Sequence, residues 1–226
     1  MTDHTRRAPR QAEAERNDRA LLDAARAILA VDGARATVAA IAARAGVGIG
    51  SLYRSYRTKE ELFQRLCVLA LDQWTEAAER GLADDDPWNG LAYYIAACIE
   101  FGGGSLAPLA GTIAVSDEIT AKVKKSDEAT DALVARAHAA GVLRPDATPV
   151  DISLLIEQLS KSPLIEQLNQ QGHLAHIEAA GNARRRIIAI ALAGLRAGQR
   201  EPLPGHPPDD ELFTVRWTHR PTLTER

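Results

Sequence analysis

The chain has 226 residues, 46% of them apolar and only 4% aromatic, with 27 Lys and Arg against 30 Asp and Glu for a formal net charge of −3. That length allows a substantial core and more than one domain, while with no apolar run long enough to span a bilayer and no signal segment, neither membrane insertion nor export is expected. Only two cysteines occur, Cys67 and Cys98, without metal-ligand spacing, so both are expected as reduced core residues of a cytoplasmic protein.

Scarce aromatics, abundant alanine and apolar residues three and four apart read as all-α. The charge is uneven: residues 1–66 hold 12 Lys and Arg against 8 Asp and Glu, and the rest hold 15 against 22, so the amino-terminal end is the basic one. Residues 1–18 have little to bury, and Arg6, Arg7, Arg10 and Arg16 make them a basic arm, either adding phosphate affinity or simply solvated. A first helix is expected from about Arg19 to Val31, with Leu21, Ala25, Ile28 and Leu29 inward and Asp32-Gly33 ending it.

Thr37 is placed to cap a second helix whose apolar face is Val38, Ile41, Ala42 and Ala45. Gly46 stands where that helix must stop, because glycine enters the left-handed region at no steric cost, and Gly46-Val47-Gly48 turns the chain into a helix from Ile49 to Tyr56. Leu52 anchors that helix beneath Val47. Ser51, Tyr53, Arg54 and Tyr56 bring hydroxyl, aromatic and cationic groups suited to phosphates and base edges. Thr58 to Leu62 reads as a capping box in which Thr58 and Glu61 satisfy each other's amides, and Lys59 opposes the helix dipole in its first turn, which points to an anionic partner.

A small residue, a turn glycine and an apolar anchor let two helices cross closely, and Ala42, Gly46 and Leu52 supply them in the manner of a helix-turn-helix unit. The segment from about Arg19 to Leu66 resembles the TetR family of bacterial transcriptional regulators, on Gly46 to Tyr53, then Tyr56, Thr58-Lys59-Glu60 and Leu62 at the family's spacing. It departs at Gly48, where many members have serine, and at Ile49, where many have lysine or another polar residue. Ile49 either touches a thymine methyl or packs the start of its helix. The resemblance implies double-stranded DNA as partner, with contacts at Thr37, Gly50, Ser51, Tyr53, Arg54 and Lys59, and with Tyr56 mostly in the core.

The helix from Thr58 continues through Leu62, Leu66, Leu69 and Trp74 to about Arg80, too long for the head alone. After Asp84-Asp85-Asp86, a helix from Pro87 carries Leu91, Tyr94, Ile95, Cys98 and Phe101 to a stop at Gly102-Gly103-Gly104, which lack the lysine and the preceding strand of a phosphate cradle. A short helix from Leu106 to Val115 and a longer one from Ser116 to about Ala140 follow. Thr148-Pro149-Val150-Asp151 then restarts the chain with a cap, a first-position proline and an acidic first turn. The last two helices run from about Pro149 to Asn169, disturbed at Pro163 and lined by Ile152, Leu155, Ile156 and Leu159, and from about Ile177 to Ala197, lined by Ile187, Ile188, Ala191 and Leu195. Beyond Gly198, five prolines and a lone segment from Phe213 to Trp217 make a loose tail with room to dock locally.

The expected organisation is all-α: a basic arm over 1–18, a three-helix helix-turn-helix head over 19–66, a helical ligand-binding and dimerisation domain over 67–198, and a Pro-rich tail over 199–226. Pairing of the last two helices in a homodimer follows from the resemblance. A small-molecule inducer would sit between the middle helices, where Trp74, Tyr93, Tyr94, Cys98, Phe101, Leu109 and Ile113 offer walls. His173 and His176, spaced as a metal pair but next to Gly172, read as solvated or capping, and His138 stands alone. Neither a catalytic constellation nor a cofactor fingerprint is present, so no enzyme and no cofactor is expected. The reading is a repressor of a palindromic operator, released by a ligand; the alternative is an all-α ligand-binding protein without sequence-specific DNA binding.

Overall fold

A computed structural model describes residues 4–101, 107–162, 164–198, 201–209, 211 and 215. Its helices are α1 (His4–Asp32), α2 (Val38–Ala45), α3 (Ile49–Ser55), α4 (Lys59–Leu82), α5 (Pro87–Phe101), α6 (Asp117–Ala139), α7 (Pro149–Ser160), α8 (Leu164–Gln170) and α9 (Ile177–Leu195). No strand occurs among the described residues, and Leu143 and Arg196 make an isolated antiparallel bridge.

Local chemistry sets most boundaries. Thr37, Thr58, Ser116 and Thr148 each accept a hydrogen bond from the backbone N–H three residues on, capping α2, α4, α6 and α7. Thr148 and Asp151 form the expected reciprocal box, with Pro149 at the first helical position. At α4 the Glu61 carboxylate instead accepts from the Arg57 N–H at 2.7 Å, closing the turn one residue earlier than a standard box. The Asp86 carboxylate caps α5 by accepting from the N–H groups of Trp88 and Asn89.

Two elements differ from the sequence reading, and a third, the tail, takes up the local docking it allowed. Residues 4–18, expected as an arm, continue α1, because the Arg, Gln, Ala and Glu of 10–16 are strong helix formers that extend the helix back from Leu21. The side chains of Arg6, Arg7 and Arg10 lie outside the described residues, as do Gly102, Gly103, Gly104 and Pro163. The expected helix from Leu106 to Val115 is reduced to a 3-10 turn at Ala107–Leu109, Leu106 being outside the described residues, since Gly111 adopts a φ of 71° and reverses the chain. In the tail, the Leu203 N–H donates to the Asp146 carboxylate at 2.7 Å and the Glu201 carbonyl accepts from Arg144 at 2.8 Å, so this stretch is docked. The Phe213 to Trp217 segment lies outside the described residues apart from Val215.

Two buried clusters organise the helices. The first takes Leu21, Ala25, Ile28 and Leu29 from α1, Ile41, Ala42, Leu52 and Tyr56 from the turn region, and Leu62 to Leu71 from α4. It also takes Leu109, Ile113 and Ile119 from the middle of the chain, so a head boundary at residue 66 cuts through one core. The Tyr56 hydroxyl donates to the Asp18 carboxylate at 2.6 Å, tying the end of α3 to α1, and burial followed by that carboxylate pushes the phenol well above its usual range. The second cluster gathers Ala77 and Ala78 of α4, Leu91, Ile95 and Ile99 of α5, Leu133 and Val134 of α6, Ile152 and Ile156 of α7, and Ile188 and Leu195 of α9. Trp74 packs against both.

Close approach of α4 to α5 needs glycine on both sides. A Cβ on Gly90 would stand 2.1 Å from the Gly81 carbonyl oxygen, and one on Gly81 would stand 2.6 Å from that of Gly90. α6 lies along α4 in the same direction: the Ala114 N–H donates to Glu60 at 2.7 Å, Gln64 donates to the Ala114 carbonyl at 2.9 Å, and Lys122 and Lys125 pair with Asp72 and Glu79. Arg136 closes this seam by donating to the Gly81, Leu82 and Asp84 carbonyls at the end of α4. At the far end, buried Arg144 donates to the Gly194 carbonyl of α9 and to Asp146, whose carboxyl it holds well below the usual carboxylate range.

Two substitutions test these constraints in urea unfolding. Gly90→Ala destabilises the chain by roughly 1–3 kcal/mol through overpacking, whereas Gly50→Ala, where an added Cβ meets nothing within 4 Å, is neutral or stabilising; equal effects would refute the close crossing. Tyr56→Phe removes the bond to Asp18 and costs about 1 kcal/mol; a wild-type midpoint would show that this bond does not anchor α3.

Candidate nucleic-acid interface

The interface is assembled by the turn between α2 and α3. Gly46 ends α2 with a φ of 68°, and the Val47 N–H donates to the Ala42 carbonyl at 3.1 Å, so α3 leaves at an angle fixed by the backbone. Leu52 is fully buried and Tyr56 nearly so, which turns the rest of α3 outward. Gly50, Tyr53, Arg54 and Ser55 are exposed, with Tyr53 48% accessible. Ser51 accepts a 2.6 Å hydrogen bond from Arg54, aligning the hydroxyl and the guanidinium along one edge of the helix.

The six expected DNA contacts thus fall within one continuous unit, from Thr37 to Lys59. Thr37 is exposed at the start of α2 while its hydroxyl caps the helix. Lys59 stands at the start of α4, half-buried, with its ammonium 5.2 Å from the centre of the Phe63 ring. Ile49, at the start of α3, leaves 48% of its surface exposed. The sequence reading missed Asp18 as the partner of Tyr56, because 38 positions separate them and no local pattern joins them.

The seven residues proposed as ligand walls are divided among different surroundings. Tyr94 and Cys98 are buried in the second cluster, where the Tyr94 hydroxyl and Thr130 Oγ1 lie 2.8 Å apart. Because the Thr130 hydroxyl already donates to the Ser126 carbonyl, Tyr94 is the donor in that pair. Tyr93 is half-buried beneath the Arg80 guanidinium at 4.7 Å, and Trp74 is half-buried between the clusters. Leu109 and Ile113 lie in the first cluster, with the head, and Phe101 is exposed. Burial pushes the Cys67 and Cys98 thiols up to about 12, which keeps them protonated and unreactive at neutral pH.

His138 lies 3.1 Å from the Arg144 carbonyl, while His173 and His176 are exposed with their rings edge-on and 6.1 Å apart. Among the described residues no group of three or more His, Cys, Asp or Glu is placed to hold a metal, and no helix is long and apolar enough to cross a membrane.

Residues 21–66 match the model of the bacterial regulatory proteins of the tetR family. No curated protein matches the chain. Among solved structures, the fold is similar to that of a TetR transcription regulatory protein from Mycobacterium vanbaalenii, with 22% identity over 83% of this chain and 99% of that one and a TM-score of 0.52. A TetR transcriptional regulator from Streptomyces coelicolor is similar at 22% identity, over 80% of this chain and 99% of that one, with a TM-score of 0.51. The head thus matches the tetR family of bacterial regulatory proteins over residues 21–66, and the fold of the chain is similar to that of solved TetR-family structures.

Proposed function

We propose that the chain is a cytoplasmic homodimeric repressor whose two heads enter successive major grooves of a palindromic operator, and which a small molecule releases. The observation that carries the reading is the outer face of α3, where Gly50, Tyr53 and Arg54 stand exposed above a sealed Leu52. A helix presented this way, with a glycine to let the backbone approach, suits major-groove entry. Thr37, Ser51 and Lys59 flank it with groups suited to phosphates. The basic head and acidic remainder support DNA at that end of the molecule.

Dimerisation is supported by α9. Ile187 and Ile190 are 52% and 69% exposed, and with Ala183 and Gly194 they share one side of the helix at helical spacing. Two large aliphatic side chains on a face with small neighbours suit close pairing with a second copy.

For the ligand, Trp74, Tyr93, Tyr94 and Cys98 offer aromatic and weakly polar walls along α4 and α5, and the Tyr94 and Thr130 pair supplies a polar point inside them. Leu109 and Ile113 sit in the head's own cluster and would carry a change between α4 and α6 to the head rather than touch the ligand. Phe101, exposed at the end of α5, would lie at the rim. Ligand and DNA then oppose each other by linkage.

Selection from random-sequence DNA tests the reading, with a specific, salt-dependent site as the expected result; equal weak binding to all sequences favours the ligand-binding alternative. On the selected site, Lys59→Ala weakens binding to specific and unrelated DNA alike and lowers the salt slope by about 1. Tyr53→Ala narrows the ratio between the two. Both variants melt as wild type does, and unchanged affinity in both sinks the contact assignment. Ile190→Glu is expected to elute as a monomer in size-exclusion chromatography, and an unaltered dimer would remove α9 from the interface.

A further inference from the structure

We infer that Ile49 is a specificity residue that reads a thymine methyl group in each operator half-site, an assignment that rests on the DNA-binding reading above. The first residue of α3 is a large aliphatic side chain with 48% of its surface exposed, although nearby Leu52, Ile41 and Ala42 are fully or almost fully buried. Neither the buried cluster of the head nor the partly buried side chains packed against it include Ile49. On either side stand Gly48 and Gly50, and a Cβ added to either would meet nothing within 4 Å, so Ile49 is the one side chain that α3 offers over those three positions. One turn later Tyr53 is equally exposed, which extends the apolar surface, while the hydrogen-bonded Ser51 and Arg54 form a polar edge.

Chemistry selects the occupant. Phosphates and the donor and acceptor edges of bases gain nothing from an aliphatic group, and the apolar feature that an unmodified base pair displays in the major groove is the C5-methyl of thymine. Isoleucine is branched at Cβ and loses little rotamer freedom on contact. The bare glycine backbone on both sides lets that tip approach the base edge without a competing side chain.

The test uses the full-length protein and the site it selects from random-sequence DNA. Each thymine of that site is replaced in turn by uracil, which removes the methyl alone. At one thymine in each half-site, wild-type binding falls about three- to fivefold, the loss expected for one buried methyl. Ile49→Ala binds the thymine and uracil forms alike at that position and melts as wild type does, while Ile49→Val, which keeps a branched apolar tip, still discriminates. Wild-type binding that is indifferent to uracil at every thymine overturns the inference while leaving the regulator intact. So does an Ile49→Ala variant that keeps the full sensitivity, which would assign the methyl to another side chain such as Tyr53. Failure to select any site overturns the DNA-binding reading and this inference with it.

Discussion

The seam between α4 and α6 is the constraint on which the rest of the structure depends. Its contacts run in matching order along both helices, from Glu60 and Gln64 at Ala114, through Asp72 with Lys122 and Glu79 with Lys125, to the last carbonyls of α4 at Arg136. The ion pairs are substantially exposed and individually contribute little. What they fix is register, while the stability comes from the apolar faces that α4 gives to both clusters. One helix therefore belongs to two cores, and the short segment holding Leu109 and Ile113 locks the start of α6 into the head.

Sequence made legible whatever was decided within a few residues. Thr37, Gly46, Thr58, Ser116 and Thr148 each carry their instruction in their own side chain or in its absence, and each stands at a helix boundary as read. Helix faces were largely legible for the same reason, with Leu21, Ile28, Ile41, Leu91, Ile95 and Ile152 all buried. Ile187 shows the limit: its spacing puts it with the apolar residues of α9, but the described residues leave 52% of it exposed. Periodicity reports that a face is apolar, not what lies across from it.

The rest was hidden because it depends on residues far apart in the chain. Gly81 and Gly90 read as unremarkable members of two helices until the helices cross at those points. Arg144 looks like a loop residue, yet its guanidinium joins Asp146, the end of α9 and the tail at Glu201. The residues proposed to face DNA lie in one short, locally coded motif, and they were assigned from its resemblance to the TetR pattern. The proposed ligand walls were drawn from aromatic and apolar content over 40 positions, and the fold distributes them between two cores.

The glycine crossing has a mechanical meaning. At Gly81 and Gly90 the two backbones meet with no side chains between them, so any tilt of α4 against α5, with α6 carried along, would pivot there. From that point to Lys59 the helix extends about 33 Å at 1.5 Å per residue. With so long an arm, a tilt of about 5° at the pivot sweeps the start of α4 through about 3 Å, comparable to the length of a hydrogen bond. A small angular change at the crossing would thus correspond to a displacement of ångströms at the other end of the helix.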